Sequence, residues 1–216
     1  MKGKIFFLSG LGADKRAFDA LKLNFNNRIK HVEWLFPTKK ETFNHYAKRI
    51  VDHYQITQSD VLVGLSFGGL MAVEIQHILN NDKVILISSA SYRKELHPFF
   101  RFTSRLHLNR LIPKRKFNQP NQLIYKGFSI KTESHKQLLN SIFKDTNVDF
   151  VQWAIRQMGH WKRKKRSNAI VKIHGDKDLM IPIHNSNNDY TIKGGGHFMV
   201  VDRAEEVSNI LNKIIT

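Results

Sequence analysis

Ser66 stands in the setting that best suits a nucleophile in this chain: Gly64-Leu65-Ser66-Phe67-Gly68, with the apolar run Val61-Leu62-Val63 before it and Gly69-Leu70-Met71-Ala72 after it. The first run reads as a buried strand and the second as the start of a helix. A strand that turns at once into a helix forces its corner residue toward a strained, positive φ. Side chains two residues before and two after that corner would collide, and Gly64 and Gly68 remove them. Gly69 in turn lets the helix lie close against the sheet. A hydroxyl at such a corner projects clear of the backbone, above helix N–H groups that have no partner within the helix.

A serine hydroxyl attacks poorly unless an imidazole takes its proton, and that imidazole needs a carboxylate to hold it. Among 11 histidines, His197 stands apart because Gly194-Gly195-Gly196 precedes it, a loop able to turn the ring inward. Asp176 and Asp178 both follow the apolar run Ala169 to His174 and compete for the carboxylate role. His174 reads as a structural histidine.

The elements that must position these groups follow a βα rhythm. Ile5-Phe6-Phe7-Leu8 is a strand buried on both faces, and Asp14 is placed to cap a helix through Phe18 and Leu21. Ile29 to Phe36 reads as a second strand closed by Pro37, and Phe43 to Tyr54 as an amphipathic helix. Val61 to Leu65, Val84 to Ile87, Ala169 to His174 and Asp189 to Ile192 complete a set of six strands, and Ala204 to Ile215 is the last helix. A short helix is expected between Pro182 and Asp189. Alternation of this kind predicts a doubly wound, mostly parallel α/β sheet.

With these elements in place, the chain resembles the α/β-hydrolase superfamily, on Gly64-x-Ser66-x-Gly68 at a strand-to-helix corner, on Gly175-x-x-Asp178-x-x-x-Pro182, and on His197 before the last helix. The resemblance covers roughly residues 4–91 and 167–214. It implies a Ser-His-Asp triad of Ser66, His197 and Asp178, in the family's order along the chain. It implies an oxyanion hole from the Leu11 and Phe67 N–H groups, with Gly10, Gly12 and Phe198 beside the substrate. Ser9 stands where many members carry histidine, though both glycines of that loop are kept. The sheet would lack the hairpin that usually opens the fold. The activity implied is hydrolysis of a carboxylic ester or thioester through an acyl-enzyme, with no cofactor. The fold also hosts lyases, acyltransferases and non-catalytic binding proteins, and these remain alternatives.

Composition narrows the field. The 216 residues include no cysteine, so thiol nucleophiles, disulfides and thiolate metal sites are excluded. No apolar run is long enough to span a bilayer, and no nucleotide fingerprint or metal-ligand cluster is present. The opening Met1-Lys2-Gly3-Lys4-Ile5-Phe6-Phe7-Leu8 could begin a secretory signal, but Ser9-Gly10 cuts the apolar stretch short, and a cytoplasmic location is expected.

Net charge is +17, and residues 93–166 hold 18 Lys and Arg against 4 Asp and Glu. The βα rhythm stops there. Helical patterns run from Pro98 to Ile112, Ser134 to Lys144 (opened by a capping box, Ser134-x-x-Gln137) and Val148 to Trp161. This segment is expected to be a helical cap inserted into a core of residues 1–92 and 167–216. Its aromatics, Phe99, Phe100, Phe102, Phe117, Phe128, Phe143, Phe150, Trp153 and Trp161, either pack the cap onto the core or line an acyl pocket. Its cations form a solvated face, rim a site for an anionic substrate head, or dock on an anionic membrane; nucleic acid is the less expected partner. Lys162 to Arg166 is the densest cationic run.

Overall fold

The computed structural model describes residues 3–98, 120–183 and 188–215. Five strands match their sequence patterns within a residue: β1 (Ile5–Leu8), β3 (Val61–Leu65), β4 (Val84–Ile87), β5 (Ile170–Gly175) and β6 (Tyr190–Ile192). With β2 (Ile29–Val32) they form one parallel six-stranded sheet in the order β2-β1-β3-β4-β5-β6. Continuous apolar runs are needed because both faces are covered. Phe6 and Leu8 enter a core shared with α1 (Phe43–Tyr54) and α2 (Phe67–Leu79). Ile5 and Phe7 point the other way, into a core closed by α6 (Met199–Asp202) and α7 (Ala204–Ile215).

Among the described residues, three further α-helices stand between β4 and β5: α3 (Gln122–Gly127), α4 (Glu133–Asp145) and α5 (Val148–His160). The last of them packs deeply, sending Phe150, Val151, Ala154 and Met158 into the α1–α2 core, followed by Trp161. Helices α3 and α4 instead gather Phe128, Leu139 and Phe143 around Phe198. Of the aromatics between residues 93 and 166, Phe150, Trp153 and Trp161 therefore pack, while Phe99, Phe100, Phe102 and Phe117 lie outside the described residues, as does the pattern beyond Pro98.

Three local expectations are corrected. The capping box does not form: α4 begins at Glu133, so Thr132 is the cap, accepting from the His135 amide, and Ser134 lies within the first turn. The second strand stops at Val32, because the Glu33 amide donates to the Tyr54 hydroxyl at 2.7 Å and the chain then turns away. Asp14 caps as expected, but it opens a single 3-10 turn, Lys15–Phe18, rather than a longer helix. Most of the short helix expected after Pro182 lies outside the described residues.

Two ion pairs, one buried and one partly buried, anchor the chain where it leaves and re-enters the sheet. Lys172 Nζ sits 2.9 Å from Glu95 Oε2, both side chains essentially inaccessible. Burial pushes the Lys172 ammonium down from its ordinary pKa, and Glu95 pulls it back up. Glu74 on α2 accepts from the Trp161 indole at 2.8 Å and from Arg163 at 2.7 Å, fixing the chain beyond α5.

Candidate active site

Ser66 occupies the corner between β3 and α2 with φ 50° and ψ −117°, the strained geometry expected there. A side chain at Gly64 would strike the Gly69 backbone, and one at Gly68 would strike the carbonyls of Leu8 and Ser9. Those close approaches hold the helix start against β1. The Ser66 backbone is fixed from β4 as well: its N–H donates to Ile87 O at 3.0 Å, and the Ser89 hydroxyl donates to Ser66 O at 2.6 Å. Strain of this kind, on the order of 1–3 kcal/mol, persists only where the surroundings over-determine it.

The loops after β5 and β6 bring the other two groups to the same sheet edge. Ser66 Oγ lies 2.9 Å from His197 Nε2. On the far side of the ring, Nδ1 is 2.9 Å from Asp178 Oδ2 and 3.1 Å from Oδ1. Asp178 and His197 are each 4% exposed, so this chain of hydrogen bonds is shielded from bulk water. Asp176, the rival carboxylate, faces away and accepts from the Gly194 amide at 2.6 Å.

Asp178 also accepts from the Met180 and Ile181 amides, both at 2.9 Å. Its Oδ2 is 3.3 Å from His174 Nε2, which is 2.7 Å from Ile181 O. Burial alone would raise its pKa, but His197 and His174 together pull the carboxyl well below the usual carboxylate range. An ionised carboxylate only accepts hydrogen bonds, so Nδ1 of His197 carries the proton and Nε2 presents its lone pair to Ser66. That arrangement can draw the serine proton onto the imidazole as the oxygen attacks.

Gly10 and Gly12 belong to a tight turn over Ser66. A Cβ on Gly10 would lie 3.8 Å from Ser66 Cβ. Ala13 N donates to Gly10 O at 3.0 Å, and Gly12 takes φ 66°, as a turn of this type demands at its third residue. Thr146, between α4 and α5, donates to Gly12 O at 2.7 Å and fixes the turn from above. Phe67 is the first residue of α2, whose opening amides have no partner within the helix. Phe198 is buried beside α3 and α4.

Three neighbours of the site had no motif to mark them. His174 touches Asp178 although its position suggested only a structural role. Phe128 sets its ring edge-on to His197, centroids 5.3 Å apart, and its carbonyl accepts from the Phe198 amide. Ser89 holds the Ser66 backbone through its carbonyl. A cavity of about 410 Å³ borders the Gly10–Ala13 turn, lined by Gly12, Ala13, Trp34, Phe36, Asn147 and Phe150 among others, but neither Ser66 nor His197 lines it.

Comparisons agree on the architecture. An enol-lactonase from Burkholderia xenovorans matches with a TM-score of 0.75 over 99% of this chain and 91% of its own, at 13% identity. A malate-bound thermophilic esterase from Thermogutta terrifontis matches with a TM-score of 0.68 over 98% and 90%, at 14% identity. An esterase from Exiguobacterium antarcticum matches with a TM-score of 0.65 over 99% and 91%, at 15% identity. This chain therefore has the α/β-hydrolase fold. No family model matches the sequence, and no curated protein does. Among the described residues no helix is long and apolar enough to cross a membrane, and no cluster of three His, Cys, Asp or Glu could hold a metal.

Proposed function

We propose that the protein is a serine hydrolase that cleaves a carboxylic ester or thioester. The observation that carries this reading is the Ser66–His197 contact of 2.9 Å at a strained strand-to-helix corner, with Asp178 behind the ring. In the first half-reaction Ser66 Oγ attacks the carbonyl carbon and its proton passes to His197 Nε2. The oxyanion is held by the Phe67 and Leu11 N–H groups. As the tetrahedral intermediate collapses, the bond to the leaving alcohol or thiol breaks and the leaving group takes the proton from His197. Water then repeats the sequence on the acyl-enzyme, releasing the acid and restoring Ser66. Asp178 stays ionised and stabilises the imidazolium.

The enol-lactonase and the esterases among the structural matches act on substrates of this carbonyl class by their names, which supports an ester over an amide. Helices α3 to α5 serve as the cap, with Phe128 and Phe198 beside His197 at the acyl side. The open groove formed by Arg93, Lys94, His160, Lys162, Arg163 and Lys164 lies at the C-terminal end of α5. The other end of that 13-residue helix meets the Gly12 turn, a helix length of about 18 Å away. The cations of the groove are therefore not assigned to the head of the reacting ester.

The test is a panel of p-nitrophenyl esters and acyl-thioesters of graded chain length, run on the wild type and on Ser66→Ala. The expected result is turnover on part of the panel and a loss on the order of 10³-fold or more in the variant. Turnover that survives Ser66→Ala would end the proposal.

A further inference from the structure

Outside the hydrogen-bonded triad, the Trp34 side chain touches the carbonyl of the peptide that carries one oxyanion donor and the ring of the residue that carries the other. The Trp34 indole N–H reaches Gly10 O at 3.3 Å. Its ring stands edge-on to Phe67, with centroids 5.3 Å apart and planes at 64°. Phe150 also braces the indole, again at 5.3 Å but nearly parallel, at 24°, and its own ring lies 5.8 Å from that of Phe67.

The Gly10 carbonyl and the Leu11 N–H belong to one planar trans peptide, so they point in opposite directions and turn together. Whatever holds the carbonyl aims the N–H. Ala13 N, the other donor to that carbonyl, comes from within the same turn and moves with it. Trp34 comes from beyond β2 and ties the peptide to the body of the protein. A donor on the carbonyl also polarises the peptide and makes its N–H a better donor, an effect that grows as negative charge develops opposite it. A half-buried indole N–H needs a partner, and this one takes a backbone acceptor next to the nucleophile.

We propose that Trp34 is a positioning residue that sets the Leu11 N–H of the oxyanion hole through its bond to the Gly10 carbonyl, a role that rests on the serine-hydrolase reading above. It acts on the charged intermediate and leaves ground-state substrate binding alone.

Two variants remove the N–H in different ways. Trp34→Phe keeps an aromatic ring against Phe67 and Phe150; replacement of Trp34 by benzothienylalanine keeps the full ring volume, so a folded protein is secured. Steady-state kinetics should show kcat reduced about threefold to tenfold in both, with KM within twofold of wild type. Affinity for a trifluoromethyl ketone, whose hemiketal adduct with Ser66 Oγ places its oxyanion in that position, should fall by the same factor. An unchanged kcat in the benzothienylalanine protein would overturn the proposal, as would a rise in KM with kcat intact, or an unaltered ketone affinity. Labelling of Ser66 by a fluorophosphonate separates the two layers: labelled wild type with unaltered variants refutes only the role of Trp34, whereas unlabelled wild type refutes the hydrolase reading and this role with it.

Discussion

Asp178→Asn changes almost no volume and removes one charge, and every bond to be lost is visible. Oδ1 receives the Met180 and Ile181 amides, while Oδ2 faces His197 and His174. A carboxamide has one oxygen and one NH2, so either orientation sets the NH2 against a group that should donate to it. If the oxygen stays with the two amides, the NH2 meets His197 Nδ1 and favours the wrong tautomer, the one with its proton on Nε2. The expected loss in kcat is on the order of 10³ to 10⁴-fold. The same substitution should lower stability at pH 7 by about 3 kcal/mol, since a buried carboxylate with imidazole and amide donors is disrupted.

The sign of the pH effect comes from the depressed pKa of Asp178. A carboxyl that binds its proton less readily folded than unfolded stabilises the fold fully above the unfolded value of about 3.9. That contribution falls away as pH drops from there toward the folded value. Urea unfolding at pH 7, 5, 4 and 3.5 should therefore give a stability gap between wild type and Asp178→Asn that is constant down to about pH 5 and then narrows. A gap that stays constant to pH 3.5, or widens, would refute the reasoning, as would a variant retaining a tenth of wild-type kcat.

Other perturbations test the frame around the site. Gly68→Ala would drive a methyl group into the Leu8 and Ser9 carbonyls and should destabilise by about 1–3 kcal/mol while reducing kcat, read by urea midpoint and steady-state kinetics. Lys172→Met leaves Glu95 buried and unpaired and should cost about 3–5 kcal/mol, whereas adding Glu95→Gln should recover at least half of that in the same unfolding assay.

The parts of this architecture fixed by local pattern could be read from the sequence. The runs of β1, β3 and β4 are apolar throughout because both faces of the sheet are covered, and α1 and α7 carry an apolar face at helical spacing. The corner at Ser66 was legible because Gly64 and Gly68 have a steric reason to lack side chains. Contacts between distant segments were not. Nothing near Trp34 in sequence announces the Gly10 carbonyl, 24 residues away, and nothing near Ser89 announces Ser66. His174 pairs with Asp178 only because the loop after β5 folds back over its own strand. The Ser134 capping box failed for a local reason: Thr132 offered an equally good cap two residues earlier.

A serine hydrolase of this kind needs a nucleophilic hydroxyl at residue 66, and mass spectrometry can look for it directly. Folded protein treated with a fluorophosphonate should gain one phosphonyl adduct, mapped by proteolysis to Ser66 and absent from Ser66→Ala. His197→Ala should slow that labelling by orders of magnitude. A folded protein that gains no adduct, or gains it on another residue, would contradict the account.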